Sequence, residues 1–309
     1  MAERSLTLWL IGDGKPGHEN QSLGFAEAMQ RRVACDIHRI SIAGKGGIVG
    51  RIRSALAQSA DLPKPDFIIA AGHATHLVML YLARKHQAKS IVLMRPSLPL
   101  RCFDLCIAPH HDFPKKPTCR NLILTRGAIN RVQAGDAPKT GKLILIGGPS
   151  KTHAWDDEAM LNMLSKITHG DRTWQLTDSR RTPMGFLEQA RKRLEGIEIF
   201  SCQETPPDWL PSMLREANEV WVSEDSVSMI YEALSSGARV GLFPVPRLKS
   251  KSRVLQGIDE LVETGFFTSF SAWQKTGHLS RASEPLNEAE RCAEIFCQMA
   301  FSQRGDFIV

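Results

Sequence analysis

Residues 219–245 constrain the fold of this chain more than any other stretch, because two apolar runs there enclose a polar turn and a helical pattern. The runs are residues 220–222 and 240–243, the turn is Ser223-Glu224-Asp225-Ser226, and the helical pattern ends at Gly237. Short apolar runs on either side of an amphipathic segment are typical of a strand, a helix and a second strand. The stretch therefore predicts a βαβ unit, the repeating element of parallel α/β proteins.

Apolar runs of strand length recur along both halves of the chain. In the first half they lie at residues 6–11, 37–42, 67–71, 91–94, 105–108 and 122–124, and in the second half near 142–147, 173–177, 197–201, 219–223 and 239–243. Helical patterns lie between several of them, at 19–31, 75–86, 155–167, 184–194, 208–217 and 226–236. This alternation predicts parallel sheets covered by helices, so the expected fold class is α/β.

A polar, turn-rich stretch at residues 133–141 separates the two series of strands. A chain of 309 residues also exceeds the usual size of a single domain. We therefore predict two domains, at residues 1–138 and 139–284. A last helical pattern, at about 287–301, belongs to neither series.

Composition argues against several classes of protein. There is no apolar run of 18 residues, and the first apolar segment is only as long as a strand, so neither a transmembrane helix nor a signal peptide is expected. Seven scattered cysteines without a C-x-x-C pair favour the reducing cytoplasm. The net charge of +6 favours anionic partners, but an aromatic content of 7% argues against nucleic acid.

The polar turn at Ser223 to Ser226 meets the start of a predicted helix, where free N–H groups and the helix dipole attract phosphate. Ser226 or Ser228 would lie at that start. Glu232 follows Ser228 by one helical turn, so its carboxylate is placed to accept hydrogen bonds from a ribose diol. The pattern fits a nucleoside diphosphate. An ordinary βαβ unit with a serine cap and a surface glutamate is the alternative.

Two more loops of the second half suit a phosphate. Residues 147–151 follow a strand with two glycines and a cation, at the sheet edge where open α/β sheets bind ligands, although they do not form a P-loop. Residues 179–183 follow the next strand with two arginines, whose planar groups suit a diphosphate. A solvated basic turn is the alternative for one of these arginines. The candidate donor-binding residues of the two loops are Gly148, Ser150, Lys151, Ser179, Arg180 and Arg181.

A glycine loop follows the first strand, and Gly12, Gly14 and Gly17 satisfy G-x-G-x-x-G. A dinucleotide site also needs an acidic residue at the end of the second strand, whereas Asp36 stands before that strand. The Tyr81-x-x-x-Lys85 spacing resembles short-chain dehydrogenases but comes too early in the chain. We therefore assign Gly14 and Gly17 to the acceptor side of a binding cleft.

His18 and Asp13 are the candidates for a general base, since a histidine beside a glycine turn is suited to take a proton from an acceptor hydroxyl. A histidine that only hydrogen-bonds the loop is the alternative. His73 and His76 lie three residues apart at a second strand-to-helix turn, but the sequence proposes no further zinc ligands. His73 is therefore expected to line the cleft, as is Arg95 at the end of another strand.

The stretch at 219–245 resembles the donor site of GT-B glycosyltransferases, in which a small-residue loop meets the diphosphate and a helix Glu, followed by Ala and later by Gly, holds the ribose. Glu232, Ala233 and Gly237 match that spacing. The whole chain resembles the bacterial branch of the mitochondrial-fission ELM family through three motifs: DGKPGHENQSLG at 13–24, TDSRRTP at 177–183 and VSEDSVSMI at 222–230.

The resemblance implies a GT-B-like protein, with two Rossmann-like domains facing each other across a cleft and a C-terminal segment, residues 285–309, that packs back on the first domain. It implies transfer of a sugar from a nucleoside-diphosphate sugar to a hydroxyl acceptor, lipid-linked or part of an envelope glycan. Neither a metal nor a cofactor is expected, because helix dipoles and cations stabilise the leaving diphosphate in such enzymes.

Two other functions stay open at this point. One is a nucleotide-sugar 2-epimerase, whose chemistry occurs on the same fold. The other is a non-catalytic protein that binds a nucleotide or is recruited to a membrane. The protein is expected in the cytoplasm, and its basic charge leaves open a peripheral position at the inner face of an anionic membrane.

Overall fold

The structure, a computed structural model, describes residues 5–44, 46–113, 115, 117–135, 138–206, 208–248, 253–282 and 286–301. The chain forms two compact units. Unit 1 comprises residues 1–131 and 288–309, and unit 2 comprises residues 132–287. The chain thus enters unit 2 ahead of the predicted boundary at 138/139 and returns to unit 1 at Glu288. Residues 285 and 302–309 of the predicted terminal segment lie outside the described residues.

Unit 1 contains a six-stranded sheet. Its strands are β1 (Leu6–Gly12), β2 (Cys35–Ser41), β3 (Phe67–Ala71), β4 (Lys89–Leu93), β5 (Leu105–Pro109) and β6 (Leu122–Thr125), in the order β2-β1-β3-β4-β5-β6. All neighbouring pairs are parallel, which confirms the predicted sheet. The nearly continuous buried runs of β1, β3, β4 and β5 are typical of a sheet that is covered on both faces.

Helices cover the two faces of this sheet. They are α1 (Pro16–Gln30), α2 (Gly47–Gln58), α3 (His76–His86) and the C-terminal helix α10 (Glu288–Phe301), with short 3-10 turns at His73–Thr75, Leu100–Cys102 and His110–Asp112. Successive side chains of a strand point to opposite faces. In β1, accordingly, Leu8 and Leu10 pack with residues of α1 and α10, whereas Trp9 and Ile11 pack with residues of α2 and α3. The sequence patterns did not predict α2.

Unit 2 contains a second six-stranded parallel sheet, in the order β12-β11-β10-β7-β8-β9. The strands are β7 (Gly141–Leu145), β8 (Trp174–Thr177), β9 (Glu198–Phe200), β10 (Ala217–Ser223), β11 (Arg239–Phe243) and β12 (Thr268–Ser269). The helices are α4 (Asp157–Thr168), α5 (Phe186–Arg193), α6 (Trp209–Glu216), α7 (Val227–Ser235), α8 (Arg253–Glu263) and α9 (Phe270–Thr276). The five predicted strands are confirmed, while β12, α8 and α9 were not predicted.

Trp221 lies at the centre of the core of unit 2. Its ring stacks on Phe243 at 4.7 Å and meets Phe270 and Trp273 edge-on at 5.9 and 5.7 Å. Gly241 is its partner on the neighbouring strand, and a Cβ atom there would lie 2.5 Å from the indole. A glycine at 241 therefore makes room for the largest buried side chain of the sheet.

Each sheet has a point at which the strand order reverses. In unit 1 it is at β1, which lies between β2 and β3, and in unit 2 it is at β7, which lies between β8 and β10. Ligands of open α/β sheets bind beyond the carboxyl ends of the strands at such a point. In each unit, two of the loops singled out in the sequence meet there.

Candidate functional site

The turn that follows β10 is buried, although it consists of polar residues. Ser223, Glu224, Asp225 and Ser226 all lie in the interior of unit 2. Ser223 Oγ accepts a hydrogen bond from the backbone N–H of Gly147 at 2.7 Å, which ties this turn to the loop after β7. Buried polar groups are tolerated when they are paired in this way.

Asp225 and Arg181 fasten the loops together. Asp225 Oδ2 accepts hydrogen bonds from Gly148 N at 2.9 Å and from Arg181 Nη2 at 2.8 Å. Arg181 Nη1 donates to the carbonyl oxygens of Gly148 and Pro149, at 2.7 and 3.1 Å. A Cβ atom on Gly147 would lie 2.1 Å from Asp225 Oδ2. Arg181 is therefore an element of the scaffold that holds the loops after β7, β8 and β10 at one point.

A second buried carboxylate lies beside this pair. Glu224 accepts hydrogen bonds from Arg247, which also donates to Asp259 at 2.7 and 3.1 Å. The hydrogen bonds to Asp259 and Glu224 raise the pKa of Arg247, so this cation is permanent. His153 lies nearby in the interior, where burial lowers its pKa although Glu224 and Asp225 oppose the shift. The imidazole of His153 is neutral at pH 7.

A cavity of about 480 Å3 opens next to this scaffold. Its volume lies within the range of small-molecule sites. The start of α7, the end of β8 with the loop after it, and the start of α6 with the loop before it surround the cavity. The lining residues are Thr177, Asp178, Ser179, Arg180, Arg181, Cys202, Thr205, Trp209, Leu210, Ser226, Ser228 and Met229.

Arg180 differs from its neighbour Arg181. Its side chain is exposed at the cavity wall, and among the described residues its guanidinium has no hydrogen-bond or ion-pair partner. Arg181 uses both terminal nitrogens within the protein, as described above. The two arginines that the sequence presents as a pair are thus one cation available to a ligand and one that builds the site.

Glu232 lies one turn further along α7 and does not line the cavity. Its side chain is half-buried, and burial raises the pKa of Glu232 to about 7. Within the part of the chain that the structure describes, the carboxylate accepts no hydrogen bond. This group therefore titrates near neutral pH.

The loop after β7 places three predicted donor-binding residues outside the cavity wall. Gly148 packs against Arg181, with a Cβ position 2.1 Å from the Arg181 carbonyl oxygen. Ser150 Oγ accepts hydrogen bonds from the N–H groups of Thr152 and His153 at 3.2 and 3.0 Å, which shapes the loop itself. Lys151 is exposed. The helix predicted at 155–167 follows this loop as α4, which begins at Asp157.

In unit 1, Asp13 and His18 form a pair at the end of β1. The Asp13 side chain is buried, and its Oδ2 atom lies 2.9 Å from His18 Nδ1. The pairing fixes the imidazole, and in the neutral tautomer with a proton on Nδ1 it leaves Nε2 free to accept a proton. The His18 side chain is partly exposed.

Two glycines allow the pair to form. Gly14 has a φ of 80° and donates its N–H to Glu19 Oε1 at 3.0 Å, which turns the chain into α1. Gly72, after β3, has a φ of 87°, and a Cβ atom there would lie 2.3 Å from His18 Nδ1. The imidazole thus lies directly against the second loop of the switch point.

The other predicted cleft residues are placed less closely. His73 follows Gly72 and is exposed, and Gly17 lies in the first turn of α1. Arg95 donates to the carbonyl oxygen of Asp112 and lies over the ring of Phe113 at 5.3 Å. In the described ranges, no group of three or more His, Cys, Asp and Glu side chains is arranged to hold a metal ion, and no helix is long and apolar enough to cross a bilayer.

Sequence reasoning did not single out Asp225, His153 or Arg247. Asp225 belongs to the VSEDSVSMI motif, but the pattern of a helix start favours its neighbours Ser226 and Ser228. His153 and Arg247 face each other across an isolated bridge between two loops, a pairing that no local pattern announces.

The fold is that of GT-B proteins. MnaA of S. aureus, solved with UDP, matches with a TM-score of 0.56 and 15% identity over 98% of each chain. A glycosyltransferase of Rickettsia africae ESF-5 matches with a TM-score of 0.51 and 12% identity, over 96% of this chain and 98% of that chain. UDP-GlcNAc 2-epimerase of Neisseria meningitidis, bound to UDP-GlcNAc, has a TM-score of 0.51 and 10% identity, over 96% and 99%.

Sequence comparison shows the family to which the chain belongs. The profile named Mitochondrial fission ELM1 matches residues 16–299, and the chain belongs to this family. An uncharacterized protein of Rickettsia prowazekii (strain Madrid E) is 23% identical over 94% of this chain and 97% of its own length. Mitochondrial fission protein ELM1 of Arabidopsis thaliana is 24% identical over 80% of this chain and 66% of the plant protein.

Proposed function

We propose that the protein transfers a sugar from a nucleoside-diphosphate sugar to a hydroxyl acceptor. The cavity of unit 2 carries this proposal, because it joins a helix start, two serines and an arginine that no described residue pairs, in a space of about 480 Å3. These are the groups that bind a diphosphate, and they lie at the switch point where α/β sheets bind ligands.

Each part of the cavity wall has a role in holding the donor. The N–H groups at the start of α7 and the hydroxyls of Ser226 and Ser228 bind phosphate oxygens, and Arg180 supplies the cation. Trp209 and Leu210 form an apolar wall on which the nucleotide base of the donor packs. Similar structures that carry UDP or UDP-GlcNAc support a nucleotide sugar as the ligand class.

The Asp13–His18 pair supplies the general base of the reaction. His18 Nε2 takes the proton of the acceptor hydroxyl, and the oxygen forms a bond to the anomeric carbon of the donor sugar. The bond from that carbon to the diphosphate breaks, and the electron pair leaves with the nucleoside diphosphate. Arg180 and the helix dipole of α7 stabilise the negative charge. Asp13 stabilises the imidazolium that forms.

The test begins with binding. Calorimetry of the purified protein with UDP, GDP, ADP and TDP should show one diphosphate that binds saturably. The corresponding labelled nucleotide sugar is then incubated with acceptor extracts, and free diphosphate plus a transferred sugar is expected. His18→Gln should lower turnover by about 10²- to 10⁴-fold, the usual contribution of a general base, at unchanged donor affinity.

Other results would replace the proposal. A product that keeps its diphosphate but has an inverted C2 centre would establish a 2-epimerase. A diphosphate that binds without any turnover would make the chain a nucleotide-binding protein. Absence of binding to every diphosphate would remove the donor site itself.

A further inference from the structure

An apolar stripe runs along the outer side of α3. Leu77, Tyr81 and Lys85 follow one another at intervals of four residues within α3 and share that side of the helix. Leu77 is 54% exposed and Tyr81 is 44% exposed, whereas Leu82 is buried against the sheet. The helix is thus apolar on its outer side as well as on the side that covers the sheet, which packing within unit 1 does not require.

The first turn of α2 carries two further exposed apolar side chains. Ile48 is 37% exposed and Val49 is 59% exposed. Four of the seven large apolar side chains with such exposure among the described residues are therefore on these two helices. Ile48, Val49, Leu77 and Tyr81 define what we term the α2–α3 surface.

The two helices lie side by side with their starts at the same edge. Both pack on the sheet face that carries Trp9 and Ile11. Arg51 Nη1, in the first turns of α2, donates to the carbonyl oxygen of Ala74, just before α3, at 3.4 Å. Both helices follow strands of a parallel sheet, so they begin at its carboxyl edge.

The two helices that form this surface contain basic residues and no acidic ones. The sequences of α2 and α3 contain four Lys and Arg and neither Asp nor Glu. Neither Asp61 nor Asp66 lies on the helices, and the Asp66 carboxylate accepts a hydrogen bond from Thr7 N at 2.9 Å. The cations of the two helices are Arg51, Arg53, Arg84 and Lys85.

The combination of apolar groups and cations selects the partner. Nucleic acid would match the cations, but Tyr81 alone is no stacking platform. A second copy of the chain would bring like charges together, because a two-fold interface joins a surface to itself. An anionic bilayer matches both features, since the headgroup boundary takes up apolar and aromatic side chains while lipid phosphates attract the cations.

We propose that the α2–α3 surface docks unit 1 on an anionic lipid bilayer. Leu77, Tyr81, Ile48 and Val49 enter the headgroup region, and the cations of both helices face the phosphates. Each cation near such a surface strengthens binding by about fivefold at low salt. Docking is reversible and weakens as salt rises.

The docking surface begins next to the Asp13–His18 pair. Gly72 packs against the His18 ring, His73 follows it, and Leu77 comes one helical turn later. Docking thus holds the carboxyl edge of unit 1 near lipid headgroups. Docking would bring an acceptor hydroxyl carried on a lipid close to His18, and this part of the inference rests on the proposed transferase function. The docking itself does not rest on it.

The experiment is flotation of the full chain with vesicles. Vesicles of phosphatidylglycerol and phosphatidylcholine in equal parts should carry the protein upward at low salt, and vesicles of phosphatidylcholine alone should not. Leu77→Ser with Tyr81→Ser should weaken binding at least about tenfold at unchanged charge. Arg84→Gln with Lys85→Gln should weaken it by about 25-fold, from two cations at about fivefold each, and remove much of its salt dependence.

Met184→Ser with Leu248→Ser is the matched control, because both side chains are exposed in unit 2 and neither lines the cavity. It should bind vesicles like the wild type. Failure to float at low salt, or equal loss in the control, would overturn docking. A dimer that Leu77→Ser with Tyr81→Ser dissociates would assign the surface to a second copy. UDP affinity, measured on the same variants, should not change, so loss of docking is separable from loss of the donor site.

Discussion

Unit 1 and unit 2 are built alike but differ in strand order and in charge. Numbered from its own first strand, unit 1 has the order 2-1-3-4-5-6 and unit 2 the order 3-2-1-4-5-6. Unit 1 has 21 Lys and Arg against 13 Asp and Glu, a net charge of +8, whereas unit 2 has 18 against 20, a net charge of −2. The positive charge of the chain therefore belongs to one unit.

The carboxyl edges of the two sheets also differ in how their charged side chains are paired. In unit 2, buried carboxylates pair with arginines and fix three loops around a cavity. In unit 1, a buried aspartate holds a partly exposed histidine against a glycine. The same edge of a parallel sheet thus carries a network of paired charges in unit 2 and a partly exposed histidine in unit 1.

The largest effect is expected when the scaffold of unit 2 loses Asp225. Asp225→Ala leaves the N–H of Gly148 and the guanidinium of Arg181 without their acceptor, so the free energy of unfolding should fall by about 3 kcal/mol. Urea unfolding followed by tryptophan fluorescence measures this, since five of the six Trp lie in unit 2.

Glu219→Ala is the matched control for Asp225→Ala. It removes a carboxylate from the adjoining strand, where the ion pair with Arg239 is loose at 3.8 Å. Its cost should be about 0.5 kcal/mol. Equal urea midpoints for the two variants would mean that buried charges do not hold unit 2 together.

In unit 1, the next effect is expected at Gly72. Gly72→Ala places a methyl group against the His18 ring and strains a φ of 87°, so thermal unfolding should show a loss of about 2 kcal/mol. Gly17→Ala is the control, because no heavy atom lies within 4 Å of its Cβ position. If both alanines are tolerated alike, the loop after β3 does not position the imidazole.

Arg180 and Arg181 should separate binding from stability. Arg180→Ala is expected to weaken diphosphate binding about tenfold without changing the melting temperature. Arg181→Ala should lower the melting temperature, because three backbone or carboxylate acceptors lose their donor. Calorimetric titration measures diphosphate affinity and thermal unfolding measures the melting temperature of both variants. If Arg180→Ala lowered the melting temperature and Arg181→Ala only weakened binding, the two roles would be the reverse of those described.

The smallest effect concerns pH. The pKa of Glu232 is raised from 4.5 to about 7, so the folded state binds a proton that the unfolded state has released between these values. Stability contributed by the protonated form is present below pH 4.5 and is lost as pH rises through 7. Linkage over this shift allows at most about 2.5 kcal/mol between pH 5 and 8. Because solvent screens the half-buried carboxylate, the wild type should lose about 1 kcal/mol relative to Glu232→Gln. Parallel pH profiles of the two proteins in urea unfolding would contradict this.

The sequence predicted every strand of the two sheets except β12, because each of these is a short apolar run, as residues 220–222 illustrate. It also placed Ser226, Ser228 and Arg180 at the same edge of the second sheet, where they line one cavity, since residues that follow parallel strands meet there. The division of labour between Arg180 and Arg181 could not be predicted, because it depends on β7 lying between β8 and β10. Strand order is a long-range property that local periodicity does not contain.

The parts of the fold that were missed have a different cause. α2 has the sequence GIVGRIRSALAQ, in which glycines weaken the helical signal and exposed apolar residues blur its two faces. β12 has only two residues, too few for any alternation. The exposed side chains that obscured α2 are the ones that form the α2–α3 surface.

The return of the chain to unit 1 has a consequence for the order in which the protein forms during synthesis. Phe296 of α10 fills a place between Phe25 and Phe67, with ring centroids 6.0 and 5.1 Å away. A ribosome that has released unit 1 as far as Arg131 has not yet made this side chain. Unit 2 is continuous, so all of its residues have been made before α10, and the unit that is begun earlier is the one whose chain is completed last.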